Sequence, residues 1–238
     1  KNFSLTFDKT SGNLISMNKQ GTNLLTNEGA PKLVLWRTPH RDDDMWAYKQ
    51  WSNYGLDSLK YTLEKIESNI IDKHTAKVIT VIKIQGKQGF SAYHTANYII
   101  NGDGAIKVEN NVQFEGKRIN LARIGVRMLF DKRLNNMSYF GRGPLENYAD
   151  RKTSQDVGLY NLDVNNQYEY EKPMERGNHE EVRWAKLMGN NFTDILFNSD
   201  ENLMQIAALP NTEEESFPVE YKIDLPKSSS TVFYLSTK

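Results

Sequence analysis

The sequence contains no cysteine among its 238 residues, which excludes disulfides, thiolate metal sites and a cysteine nucleophile. It also has no excess of either charge: Lys plus Arg and Asp plus Glu number 30 each. Without a net field, neither nucleic acid nor an anionic membrane is expected as a partner. No run of about 18 apolar residues occurs, so no membrane-spanning helix is encoded. The opening KNFSLTFDKTSG lacks an apolar signal-peptide core and alternates like a strand, so the chain is expected to begin inside a fold. GxGxxG, P-loop and HExxH motifs are missing. His40, His74, His94 and His179 are too scattered for a histidine metal site. Asp42, Asp43 and Asp44 stand in a row, without the alternate spacing and glycine of a calcium loop. No cofactor and no metal is expected.

What is present is alternation. In KVITVIKI, Val78, Thr80, Ile82 and Ile84 share one face. FSAYHTANYII meets NGDG and continues into AIKVENNVQF, which predicts a hairpin with Ile106, Val108, Val112 and Phe114 on one side. In ARIGVRMLF, the same rule places Ala122, Ile124, Val126, Met128 and Phe130 inward and Arg123 and Arg127 outward. VEYKIDL alternates through Val219, Tyr221, Ile223 and Leu225. Many short strands predict an all-β protein of antiparallel sheets, a sandwich or barrel, in one domain over residues 1–238. One short helix is expected near residues 44–54: Asp44 caps it, Met45, Tyr48 and Trp51 recur at helical spacing, and Gly55 ends it. ALPNTEEESFP is expected as a solvated loop.

Two polar-aromatic segments are candidates for chemistry. YFGRGPLENYADRK offers Arg142 and Arg151 as carboxylate binders with Glu146 and Asp150 nearby, an internally paired corner or the wall of a sugar pocket. EKPMERGNHEEVRW offers Glu175, Asn178, His179, Arg183 and Trp184, a carbohydrate platform or a strand entering the core. Trp36 and Trp51 are expected in the core, and Trp46 as an exposed stacking or interface ring. The carbohydrate-contact candidates are therefore Trp46, Arg142, Glu146, Glu175, Asn178, His179, Arg183 and Trp184. Retaining glycosidases need two carboxylates about 5 Å apart. Sequence alone brings no two of these acids face to face, and no catalytic residue is assigned.

LWRTP, YFGRGPLENYADRK and PMERGNHEEVRW, in this order, closely resemble the C-terminal small-chain domain of bacterial β-galactosidases of glycoside hydrolase family 2. Gly141, Gly143, Pro144, Glu146, Asn147, Tyr148, Asp150 and Arg151 fit the middle motif of that family. Pro173, Glu175, Gly177, Asn178, Val182, Arg183 and Trp184 fit the last, with Met174 where glutamine is usual. The sequence departs where HRDDDMW follows LWRTP at once, and where no segment resembles the late loop bearing a substrate-stacking tryptophan. That tryptophan is therefore carried over to no position.

The resemblance implies a galactose-mutarotase-like β-supersandwich. It also implies catalytic glutamates on an upstream TIM barrel of the same polypeptide, absent from this chain. The barrel and its galactoside substrate become the expected partners, with a homo-oligomer in view and bacterial periplasm or cytoplasm equally acceptable. The resemblance suggests a non-catalytic module that shapes the rim of the barrel's pocket or helps subunits associate. Two rivals stand beside it: a carbohydrate-binding module using Trp184, Arg183 and Asn178, and a mutarotase-like enzyme pairing His179 with Glu175 or Glu146.

Overall fold

A computed structural model describes residues 3–26, 29, 31–41, 44–199 and 202–237. Asp42 and Asp43 of the aspartate run lie outside them. The strands in chain order are β1 (Phe3–Phe7), β2 (Leu14–Lys19), β3 (Thr22–Asn23), β4 (Lys32–Val34), β5 (Lys60–Ile70), β6 (Thr75–Gln85), β7 (Ser91–Asn101) and β8 (Ile106–Glu115). They continue as β9 (Gly125–Asp131), β10 (Asn136–Gly143), β11 (Asp156–Asp163), β12 (His179–Val182), β13 (Trp184–Met188), β14 (Ile195–Asn198), β15 (Met204–Leu209) and β16 (Ser230–Thr237). All pairings between them are antiparallel. They form a small sheet β1-β2-β3, an outer sheet β11-β10-β13-β14, a central sheet β12-β15-β16-β9-β4 and a long-strand sheet β5-β6-β7-β8. The all-β architecture expected from the alternation is the one observed.

The long strands follow their pattern closely. Val78, Thr80, Ile82 and Ile84 of β6 are buried, opposite buried Tyr98, Ala96, His94 and Ala92 of β7. β7 and β8 form the expected hairpin, where Val108 and Phe114 remain partly exposed because β8 is an edge strand. Helix α1 (Met45–Asn53) buries Ala47 and Trp51 against Leu33, Leu35, Trp36, Ile82 and Ile84. Gly55 adopts φ +69°, the left-handed conformation that ends the helix, and Gly55 N–H donates to the Ser52 carbonyl at 2.9 Å. Asp44 precedes the helix but makes no side-chain cap; its carboxylate accepts from Arg37 instead. An ion pair with a guanidinium outcompetes a neutral cap at this position.

Outer and central sheets pack face to face. Met137, Tyr139, Ala185 and Leu187 meet Phe130, Met204, Ile206 and Phe233, and the Phe197 and Phe233 rings stack at 4.3 Å. Two approaches in this core demand glycine. A Cβ on Gly141 would lie 2.5 Å from Val182 Cγ2 and 2.9 Å from Val182 Cα, and one on Gly143 would lie 2.4 Å from the Tyr139 hydroxyl. Gly141 lets β10 run against β12 without a side chain between them, and Gly143 leaves room for the Tyr139 and Tyr160 rings.

Three expectations are corrected. First, Arg127 is buried, Arg123 nearly so, and Ile124 is 47% exposed. β9 begins only at Gly125, so the alternation does not govern residues 122–124. The second face of the central sheet is also covered: Val34, Ala207, Val232 and Tyr234 form a cluster on that side. Arg127, opposite both Tyr234 and Lys32, points into it. Second, the stretch expected as a solvated loop contains helix α2 (Glu213–Ser216), closed by a reciprocal capping box between Thr212 and Glu215. Third, VEYKIDL forms no strand; a 3₁₀ turn spans Lys222–Asp224 and Ile223 is 87% exposed.

Candidate functional site

The two motif segments hold each other through paired asparagines. Asn147 is fully buried. Its Nδ2 donates to the Arg142 and Leu145 carbonyls at 3.0 Å each, and its Oδ1 accepts from Glu180 N–H at 2.8 Å. Asn147 N–H donates to the Asn178 carbonyl, and Asn178 Nδ2 returns a bond to the Asn147 carbonyl, both at 2.7 Å. This side-chain amide uses both its donors and its acceptor internally, as a buried amide must.

Glu146 is similarly occupied. Its Oε1 accepts from Arg151 at 2.8 Å and from the Tyr170 hydroxyl at 2.6 Å, and its Oε2 from Gly177 N–H at 2.7 Å. Arg142 reaches neither Glu146 nor Asp150. Its Nε donates to Glu181 Oε2 at 2.8 Å, and Lys152 donates to Glu181 Oε1 at 2.7 Å. Glu181 sits at φ +55° beside a register shift in β12, which turns it away from buried Glu180 and toward those cations.

His179 is 2% exposed, with Nδ1 2.8 Å from the Tyr139 hydroxyl and 3.2 Å from the Arg142 carbonyl. Burial pushes its pKa down to about 4, against weaker raising influences from the Arg142 carbonyl and Glu146. The imidazole is therefore neutral near pH 7 and engaged in the core. Trp184 and Arg183 lie elsewhere: Trp184 is opposite Phe140 and Asn198 on the outer sheet, and the Arg183 guanidinium lies 5.3 Å from the Phe140 ring. Trp46 is 71% exposed on α1. Of the eight sequence candidates, the structure brings Glu175 and Asn178 into one cleft and sets Arg142, Glu146 and His179 in the corner behind it.

That cleft encloses about 640 Å³ beside β9, β15 and β16. Arg123, Glu175 and Tyr234 of its lining belong to an ionic network that the sequence did not reveal. Arg123 donates to Glu175 and, at 2.9 Å, to Glu213; Arg127 donates to Glu213 at 2.8 Å and to Glu214 at 2.5 Å. The Tyr234 hydroxyl donates to Glu213, and Arg123 lies 4.7 Å from the Tyr234 ring. Burial disfavours both guanidinium charges. Even so, Glu175 and Glu213 hold Arg123 above its ordinary pKa, while Tyr234, Glu213 and Glu214 do so for Arg127. Burial raises the Glu175 carboxyl despite the lowering pull of Arg123. For Glu214 the balance reverses: burial raises its pKa, but the hydrogen bond and charge of Arg127, helped by a backbone hydrogen bond and Lys32, together bring it below the ordinary value.

Among the described residues, no group of three or more His, Asp or Glu side chains is arranged to hold a metal ion, and no helix is long and apolar enough to cross a membrane. Fold and site together define an all-antiparallel module whose motif residues brace its own corner beside a polar cleft. The sequence model of the family described as "Beta galactosidase small chain" matches residues 1–238, and this chain belongs to that family. It is 26% identical over 240 residues to a β-galactosidase of Priestia megaterium, covering 100% of this chain and 22% of that protein. A β-galactosidase of an Arthrobacter species is 29% identical over 236 residues, covering 86% of this chain and 22% of that protein. One from Kluyveromyces lactis is 23% identical over 183 residues, covering 76% and 18%, so the resemblance extends to a yeast. The chain thus spans about a fifth of the length of these curated relatives.

Proposed function

We propose that this chain is the non-catalytic small-chain part of a β-galactosidase that hydrolyses terminal β-galactosides with carboxylates carried elsewhere on its polypeptide. The observation that carries this reading is the fate of five of the chain's acids at the corner and the cleft. Glu146, Glu175, Glu181, Glu213 and Glu214 are each bound to an arginine or lysine side chain. A retaining glycosidase needs a protonated acid and an accessible nucleophilic carboxylate flanking the sugar. A carboxylate held at hydrogen-bond distance by a guanidinium or ammonium is not free to approach a glycosidic bond.

The chain acts instead as a shaped surface at the rim of the catalytic pocket or between subunits. Leu159 and Leu196, at 70% and 62% exposure on the outer sheet, and Trp46 on α1 suit contact with another domain. The purified 238-residue chain should leave a chromogenic β-galactoside intact, and should restore hydrolysis when mixed with the remaining portion of a β-galactosidase. Hydrolysis by the chain alone, abolished by substituting one of its own carboxylates, would overturn the proposal.

A further inference from the structure

We propose that β8 is a self-pairing strand: it joins antiparallel to the β8 of a second copy of this chain, so that two long-strand sheets become one continuous sheet. The inference selects contact between subunits from the reading above, while the pairing itself is argued from the strand.

β8 forms one edge of the β5-β6-β7-β8 sheet. The direction of its backbone groups follows from the hairpin. Asn101 N–H donates to the Ala105 carbonyl at 2.9 Å, which makes Asn101 and Ala105 a hydrogen-bonded pair. Bonded and non-bonded pairs alternate along an antiparallel ladder. Lys107, Glu109, Asn111, Gln113 and Glu115 therefore bond to β7, whereas Ile106, Val108, Asn110, Val112 and Phe114 aim their N–H and C=O groups at the open edge. Among the described residues, those outward groups meet no backbone group of another segment. Such a row of donors and acceptors is a template for a further strand.

The two edges of this sheet are built differently. β5 carries a register shift between Leu63 and Lys65 and the charges of Lys60, Glu64, Lys65 and Glu67, devices that keep an edge from pairing. β8 runs along β7 from Ile106 to Glu115 without a shift, contains no proline, and is exposed on both faces from Lys107 to Asn111.

The order of residues points to the occupant. Ile106, Val108, Asn110, Val112 and Phe114 share the face of buried Ala92, His94 and Tyr98. They form an apolar pattern that reads the same in both directions about a central asparagine. A two-fold axis at Asn110 sets Ile106 opposite the partner's Phe114, Val108 opposite the partner's Val112, and Asn110 opposite the partner's Asn110. Asn110 is already positioned, with its Oδ1 2.8 Å from Nε2 of buried His94. On the other face Lys107 meets the partner's Gln113 and Glu109 the partner's Asn111, so no like charges stand directly opposed. A slip of one residue would set inward residues against outward ones. A two-fold contact requires a self-matching strand, and pairing with an unrelated strand does not.

Sedimentation velocity on the 238-residue chain, run from low to high micromolar concentration, should show a reversible monomer–dimer equilibrium. Val108→Pro removes an outward N–H while leaving the bonds to β7, and should weaken the dimer about tenfold. Asn111→Glu places a carboxylate opposite the partner's Glu109 at two symmetric positions. It should also weaken the dimer about tenfold, less so in high salt, and Asn111→Lys should tighten it by a similar factor. Position 111 is exposed, so thermal melts of both variants should match wild type. A chain monomeric at every concentration, or a dimer indifferent to all three substitutions, would overturn the proposal. Equal weakening by Asn111→Glu and Asn111→Lys would overturn the register. If the chain stays monomeric yet restores hydrolysis to the rest of a β-galactosidase, the pairing fails and the function proposed above stands.

Discussion

Burial of His179 makes the fold acid-labile in a way that a single substitution isolates. The imidazole has an ordinary pKa of 6.5, and in the folded chain it is pushed down to about 4. In the unfolded chain it takes up a proton as pH falls through 6.5; in the folded chain it stays neutral until about 4. Across that window the unfolded state binds more protons, so stability present in full above pH 6.5 is lost as the solution is acidified. Linkage puts the loss from this one residue at about 2.5 kcal/mol between about pH 7.5 and about pH 4.5.

Other groups titrate in the same range. His94, lowered mainly by burial, contributes with the same sign, and Glu175, raised mainly by burial, with the opposite one. The useful quantity is therefore the difference between wild type and His179→Asn, in which an amide replaces the Nδ1 contacts to the Tyr139 hydroxyl and the Arg142 carbonyl. Urea unfolding followed by tryptophan fluorescence across a buffer series should find the variant less stable at neutral pH. Its deficit should shrink by about 2.5 kcal/mol toward about pH 4.5. A deficit constant over that interval would refute the assignment of His179 as a buried neutral imidazole.

Gly141→Ala should lower stability by about 1–3 kcal/mol in the same urea assay, because the new methyl collides with the backbone and side chain of Val182. A neutral result would mean that β10 and β12 separate at no cost. Glu213→Gln should be costlier, about 3–5 kcal/mol, since it removes the acid shared by Arg123, Arg127 and Tyr234 and leaves buried guanidinium charge uncompensated. Thermal melts would detect this as a large drop in Tm, and a drop no greater than that of a surface Glu→Gln control would refute the role given to the network.

Much of the scaffold was legible because period-two burial is a local property. The four alternating residues of β6, the NGDG hairpin and the helix ended by Gly55 all follow from steric and hydrophobic preferences within a dozen residues. The corner of GRGP and ENY was legible as an internally paired piece, and Arg151 does bind Glu146 within it, but the partner of Arg142 was not legible. Arg142 chose Glu181, thirty-nine residues away, over the nearer Glu146 and Asp150. What failed was the assumption that a charged residue alternating with apolar ones faces water. β9 lies inside a sheet covered on both sides, and α2 brings Glu213 and Glu214 onto its second face from more than eighty residues along the chain.

The amino-acid order thus determined the all-β class, the facing of the long strand β6, the β7–β8 hairpin, the helix near Trp51 and the family to which the chain belongs, since each is written in neighbouring residues. Tertiary structure alone decided which acids meet which bases and that Asn147 and Asn178 fasten two distant segments. The reason is physical: a charge or a hydrogen-bonding group is satisfied by whatever the fold brings within about 3 Å, and that distance in space carries no fixed spacing in sequence.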